Sequence, residues 1–198
     1  MHDERLRRQL GFVAELDKLK LIERMISVIG GARRENSAEH SWHLAVMAPL
    51  LAEYAADDVD IGRVMTMVLI HDVVEIDAGD AFCFDESANM GQAERERDAA
   101  RRLFGLLPED QGQELRACWN EFEECQTPDA RFAVALDRFQ GLMMNHNNEG
   151  GTWKIHDITK QQVLKRMAPI RDGAPLLWQV VLDVVDAADL REEHALDG

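Results

Sequence analysis

The stretch IGRVMTMVLIHDVVEIDAGD, residues 61–80, decides the fold. In its first half Ile61, Val64, Met65, Met67, Val68, Leu69 and Ile70 leave almost no polar side. A helix that is apolar all round belongs at the centre of a molecule. Asp60 supplies a cap at its start, and the helix is expected to run to about Asp72. His71 and Asp72 then stand at the end of the most apolar helix of the chain. An ionised carboxylate is costly there unless it is paired or bound to a cation. Glu75 follows at i+4 from His71 and i+3 from Asp72, on the same face if the helix continues one more turn.

Outward from this segment the dominant signal is a period of 3.6, with no convincing run of apolar/polar alternation. Leu6, Leu10, Val13 and Leu16 open a helical face that Leu19, Ile22, Met25 and Ile29 continue, until Gly30-Gly31 stops it. Asn36 and Ser37 are good cap residues, with Glu39 placed as in a capping box. A helix is therefore expected from near Ser37 to about Ala56, kinked at Pro49. Further helices are predicted over Gln92–Leu107, Glu109–Glu124 and Ala130–His146, the last launched by Thr127-Pro128-Asp129. The polar segment NHNNEGG (145–151) reads as a loop, and Thr159–Arg171 and Pro175 to about Glu193 as the last two helices. On that final helix Leu177, Val181, Val184 and Ala188 line one face and Leu176, Val180 and Val185 another, so it is either sandwiched or shared with a second subunit. The expected fold is all-α: one compact helical domain over 1–198, with a core at about 16–146 and C-terminal helices 159–193 packing on it or at a dimer interface.

Composition narrows the function. With 22 basic against 37 acidic residues the formal charge is −15, which argues against a nucleic-acid polymer as the partner, since such binders show a basic patch or stripe. The start, MHDERLRRQLG, has no apolar core of a secretory signal. No apolar stretch approaches the roughly 20 residues that span a bilayer. Cys83, Cys118 and Cys125 form no CxxC pair and read as reduced packing residues of a cytoplasmic protein.

Histidine and carboxylate carry the chemistry, because phosphate loops, dinucleotide fingerprints, HExxH and GxSxG are all absent. His-Asp dipeptides occur three times in the chain, so each must be judged by its surroundings. His71-Asp72 has the apolar helix behind it. His40 lies one turn inside the capped helix, in EHSWH, and Asp137 interrupts the apolar stretch FAVALDRFQGLMM. Two imidazoles and two carboxylates from three helices can bind one divalent ion. Mixed N/O ligation with open positions suits a first-row metal better than structural zinc.

These residues make the chain recognisable. It resembles the HD-domain phosphohydrolases, and among them the bacterial 5′-deoxynucleotidase-like group, whose pattern H…HD…D is matched by His40, His71, Asp72 and Asp137. LKLIERM (19–25), RRENSAEHSWHLA (33–45), HDVVEIDAGD (71–80) and ALDRF (135–139) fall in the family's order and spacing, and the resemblance covers roughly Leu16 to Leu190. It implies an all-α HD domain, one divalent ion (Mn, Co, Fe, Ni or Mg), hydrolysis of a nucleoside 5′-monophosphate, and a homodimer. By motif match Glu75 is the carboxylate that works on the attacking water, Asp80 the second acid needed for turnover, and Arg24 and Arg33 the substrate-binding arginines. Met25 replaces the family's aromatic after Arg24, and Ala81 its proline after Asp80. His43, at i+3 from His40, has an ordinary polar or capping role as its simpler reading, and Asp85 and Glu86 read as a solvated loop. HDVVE is also similar to the hydrolase domain of enzymes that cleave guanosine pyrophosphates, which have a second acid where this chain has Ile76. A dimeric ligand sensor that keeps the metal pocket is the non-enzymatic alternative. An HD oxygenase would need further ligands such as His146 or His156.

Such a constellation suits phosphate monoesters, which enzymes accelerate by up to ~10²¹. One general base supplies only about 10²–10⁴. Charge stabilisation on the phosphoryl oxygens must supply most of the rest.

Overall fold

A computed structural model of the chain describes residues 2–85, 87 and 90–192. Glu86, and Glu193 at the expected end of the last helix, lie outside them. Helix α1 (His2–Leu16) leads through a 3-10 turn (Asp17–Leu21) into strand β1 (Glu23–Ser27), which pairs antiparallel with β2 (Arg34–Asn36). There follow α2 (Ser37–Leu51), α3 (Ile61–Ile70), a 3-10 turn at His71–Val74 and α4 (Glu75–Ala78). The second half holds α5 (Gln92–Phe104), α6 (Glu109–Glu124), α7 (Pro128–Asn147), α8 (Gly151–Ile155), α9 (Lys160–Met167), α10 (Ile170–Gly173) and α11 (Leu177–Ala187). The fold is helical, with one small hairpin added. No helix among the described residues is long and apolar enough to cross a membrane.

Helix α7 is the axis. It packs against α2, α3, α6, α9, α10, α11 and β1, and the run Phe132–Asp137 is buried throughout. Thr127 caps it by accepting from Ala130 N (3.2 Å), with Pro128 at the first helical position. Asn36 and Glu39 complete the expected capping box of α2, and Asp60 caps α3. Val64, Met67 and Val68 of α3 are fully buried, as an all-apolar helix requires. The C-terminal helices α9, α10 and α11 lie against α7, while Leu176 and Val180 stay exposed.

Four expectations need correction. The single helix through Ile29 breaks after Leu16, and residues 23–36 form a hairpin instead. Its turn uses Gly30 (φ +88°) and Gly31 (φ +69°), with Gly31 N donating to Val28 O (2.9 Å), a backbone that glycine adopts at little cost. Asn148 secures this turn from α7's end, accepting from Gly30 N (3.0 Å) and donating to Ser27 O (3.1 Å). The helix expected to reach Ala56 ends at Leu51, two residues beyond Pro49, and a 3-10 turn (Ala52–Tyr54) follows. The loop expected over 145–151 is shorter, because α7 runs to Asn147 and α8 begins at Gly151. Finally, the helix expected over Thr159–Arg171 divides into α9 and α10 on either side of Pro169, whose ring cannot continue a helical ladder.

Gly173 shows how closely α10 meets α7. A Cβ there would lie 2.1 Å from the Arg131 carbonyl oxygen and 2.9 Å from Ala135 Cβ. Backbone cannot swing aside as a side-chain tip can. Gly173→Ala is expected to lower stability by about 1–3 kcal/mol, the usual range for overpacking, read as a reduced urea midpoint. An unchanged midpoint would show that the two helices separate freely.

Candidate functional site

His40, fully buried on the first turn of α2, donates from Nε2 to Asp137 Oδ1 on α7 (3.0 Å). The same Nε2 lies 3.9 Å from Asp72 Oδ2. His71 directly follows α3, and its Nδ1 is 2.9 Å from Val68 O. That bond places the ring proton on Nδ1, because a carbonyl can only accept. Its Nε2 is buried, has no hydrogen-bond donor, and stands 3.1 Å from Asp72 Oδ1. Two acceptor atoms at that distance with no proton between them are what a cation site requires.

Ligand atoms of His40, His71 and Asp72 all fall within 4.8 Å of one another. The buried donor set of two imidazoles and a carboxylate fits a divalent first-row ion. Asp137 joins through His40. Its other oxygen is in contact with Arg138 Nη1, and the closest group of ligand atoms does not include it.

Around this cluster the acids differ sharply. Burial, with Asp72 and Asp80 beside it, pushes the Glu75 carboxyl well above its usual range. Ser37 Oγ donates to its Oε2 (2.6 Å). Burial likewise raises Asp80, against the pull of Arg24. Burial alone would raise Asp137, but Arg138 and the His40 hydrogen bond hold it well below the usual range. Burial and the nearby Arg24 lower His40 to about 4, so its imidazole is neutral at neutral pH. Arg24, on β1, donates from Nη1 to Asp72 Oδ2 (2.9 Å). Burial alone would lower Arg24, but Asp72, Asp137, Glu75 and Asp80 together raise it.

The hairpin supplies a residue the sequence reading missed. Glu35, on β2 and 3% exposed, has Oε2 3.6 Å from Arg24 Nε and 3.7 Å from His40 Nδ1. Its Oε1 accepts from Gln140 Nε2 (2.8 Å), and burial pushes it up to about 7. His43 reaches Gln140 (3.4 Å) rather than the cluster. The signal that could have located Glu35 is a carboxylate five residues before His40, in a segment too polar to belong to the core.

Arg24, His71, Asp72, Glu75, Asp80 and Asp137 border one cavity of about 310 Å³. Arg138 and Arg166 border it too. A smaller recess of about 90 Å³ adjoins it, lined by Met25, Phe82, Phe84 and Trp153 with Asn145 and Thr152 as neutral polar groups, and sharing Arg24, Asp80, Asp137, Arg138 and Arg166 with the larger cavity. Arg33 does not reach either. It is exposed and donates from both terminal nitrogens to Glu39 (2.8 Å each), supporting the capping box of α2. Arg33→Ala is therefore expected to change kcat/KM by less than about twofold, as for surface pairs generally. A larger fall in steady-state assays would return it to the site.

A family model described as the HD domain matches residues 16–178. A crystal structure of a predicted metal-dependent phosphohydrolase from Magnetospirillum magnetotacticum MS-1 is 53% identical, with a TM-score of 0.91 over 95% of this chain and 94% of that one. The 5′-deoxynucleotidase HDDC2 of Homo sapiens is 29% identical over 135 residues, 68% of this chain. The chain spans 65% of that relative's length. The PH0347 protein of Pyrococcus horikoshii OT3, 19% identical, shares the fold with a TM-score of 0.64 over 90% of this chain and 99% of that one.

Proposed function

Because the chain belongs to the HD-domain family, we propose that it is a metal-dependent phosphohydrolase that cleaves nucleoside 5′-monophosphates, deoxyribonucleotides foremost, to nucleoside and phosphate. The observation that carries this reading is the pair of buried acceptors, His71 Nε2 and Asp72 Oδ1, 3.1 Å apart. His40, His71, Asp72 and Asp137 would hold the ion. A divalent ion there, Mn, Co, Fe, Ni or Mg, supplies positive charge to the phosphoryl oxygens and acidity to a water molecule.

The chain's own groups do the remainder. Glu75, a carboxylate in the cavity wall raised by burial and held by Ser37, is the general base. Asp80, also raised, protonates the leaving oxygen or orients the nucleophile. Arg24, fixed against Asp72, offsets the substrate's charge with planar donors. Arg138 and Arg166, rather than Arg33, are the further cations on the cavity wall. Glu35 faces His40 Nδ1 at 3.7 Å, so with an ion in place of the Nε2–Asp137 hydrogen bond the ring proton would sit on Nδ1 toward Glu35 and leave Nε2 as a ligand atom. The apolar recess beside Met25 and Trp153 receives the nucleoside.

The similarity to the human 5′-deoxynucleotidase and the acid, imidazole and arginine content of the cavity support this substrate class. A homodimer in the cytoplasm completes the proposal, with the exposed Leu176, just before α11, and Val180 on it as a face for a second copy.

Metal analysis combined with phosphate release from a panel of nucleoside monophosphates tests the reading. Chelator-sensitive release from at least one of them, restored by a divalent ion, is expected. A metal-loaded protein that releases phosphate from none would overturn it.

A further inference from the structure

We infer that Arg138, Lys165 and Arg166 form a second phosphate-binding subsite beside the metal centre, and that the substrate therefore carries a second phosphate group. The inference rests on the phosphohydrolase reading and moves its preferred substrate from a nucleoside monophosphate to a nucleotide with a second phosphate group.

Arg166 presents the anomaly. Its guanidinium is half-buried, yet among the described residues it forms no hydrogen bond or ion pair. Its neighbours include Arg138 and Arg24, and burial together with Arg138 lowers it. A cation withdrawn from water and set beside a like charge is unfavourable unless an anion completes the site. Arg138 contacts Asp137 through Nη1. A guanidinium has five N–H donors in a planar fork, so this contact leaves others available.

The surroundings say where the anion goes. Arg138, Lys165, Arg166 and Gln162 border a cavity of about 350 Å³, together with Cys83 and Phe84, and no carboxylate lines it among the described residues. The metal-centre cavity is bordered by Asp72, Glu75, Asp80 and Asp137, among other acids. The two cavities share Arg138, Arg166 and Cys83, so they adjoin. In a chain of net charge −15, a carboxylate-free recess with three cations is an unusual local field. At physiological ionic strength charges beyond about 8 Å are largely screened. The local cations therefore decide what binds.

Two guanidinium forks and one ammonium match the oxygens of a phosphate group. The phosphate to be cleaved must lie with Glu75 and Asp80, which do not line this recess. Lys165 borders this recess and not the metal-centre cavity, so an anion seated against it lies apart from the phosphate being cleaved, where a second phosphate group of the same molecule would fall. A nucleoside bisphosphate or diphosphate has that form.

Two measurements decide it. Calorimetric titration of the chelator-treated protein with inorganic phosphate is expected to show binding that Lys165→Glu weakens at least about tenfold, the scale of one charge-assisted hydrogen bond. With the metal restored, kcat/KM for a nucleoside 3′,5′-bisphosphate is expected to exceed that for the 5′-monophosphate by about tenfold, and Lys165→Glu to bring the ratio toward one. Equal phosphate affinity in the two proteins would overturn the subsite. A ratio near one in the unaltered protein, with phosphate still bound through Lys165, would overturn the second phosphate and leave a site for the free ion. Failure to cleave any nucleotide would refute the phosphohydrolase reading itself, while the titration still decides the subsite.

Discussion

In Glu75→Gln, kcat falls by about 10²–10⁴-fold, the contribution of a positioned general base, while metal content stays that of the unaltered protein. Glu75 is buried in the wall of the metal-centre cavity but is not in the closest group of ligand atoms, which belongs to His40, His71 and Asp72. The amide keeps the volume of the side chain and an oxygen to accept from Ser37 Oγ. What it removes is the capacity to take a proton. Phosphate release and elemental analysis on one preparation check both halves. Unaltered turnover would remove Glu75 from the chemistry, and loss of metal would make it a ligand.

Asp72→Ala acts on the ion itself and abolishes both metal retention and turnover. One oxygen of Asp72 stands 3.1 Å from His71 Nε2, and the other accepts from Arg24 Nη1 at 2.9 Å. The substitution therefore also strands a buried guanidinium, and removing one partner of a buried pair costs about 3–5 kcal/mol. Asp72→Asn separates the two effects. It keeps the volume and an acceptor for Arg24, so the chain stays folded by circular dichroism, yet it lacks the charge that holds a divalent ion. Full phosphatase activity in a metal-free Asp72→Ala protein would end the proposal.

Much of the framework was legible because it is written in apolar periodicity and caps. The all-apolar run Ile61–Ile70 does lie at the centre, and Asn36, Asp60 and Thr127 do start helices. His40, His71 and Asp72 could be picked out because a polar group on an apolar helix face is conspicuous. The hairpin was not legible for the opposite reason. Its inward side chains are Arg24 and Glu35, which pair with each other and with the site. Charges in the interior leave no hydrophobic pattern for a strand. The Gly30-Gly31 pair marked a break in either reading, and only the positive φ values show it to be a turn. Arg138 and Arg166 lie on α7 and α9, distant in sequence, and spacing along one helix cannot bring them together. Arg33, expected at the substrate by motif position, is exposed and pairs with its local partner Glu39.

The central claim is that a single divalent ion is held between α2, α3 and α7. Anomalous scattering from crystals soaked in manganese tests it most directly. One strong peak is expected per chain, at roughly 2.0–2.3 Å from His71 Nε2, His40 Nε2 and carboxylate oxygens of Asp72 and Asp137. A map with no peak among those four side chains, or with manganese bound elsewhere on the protein, would contradict the account.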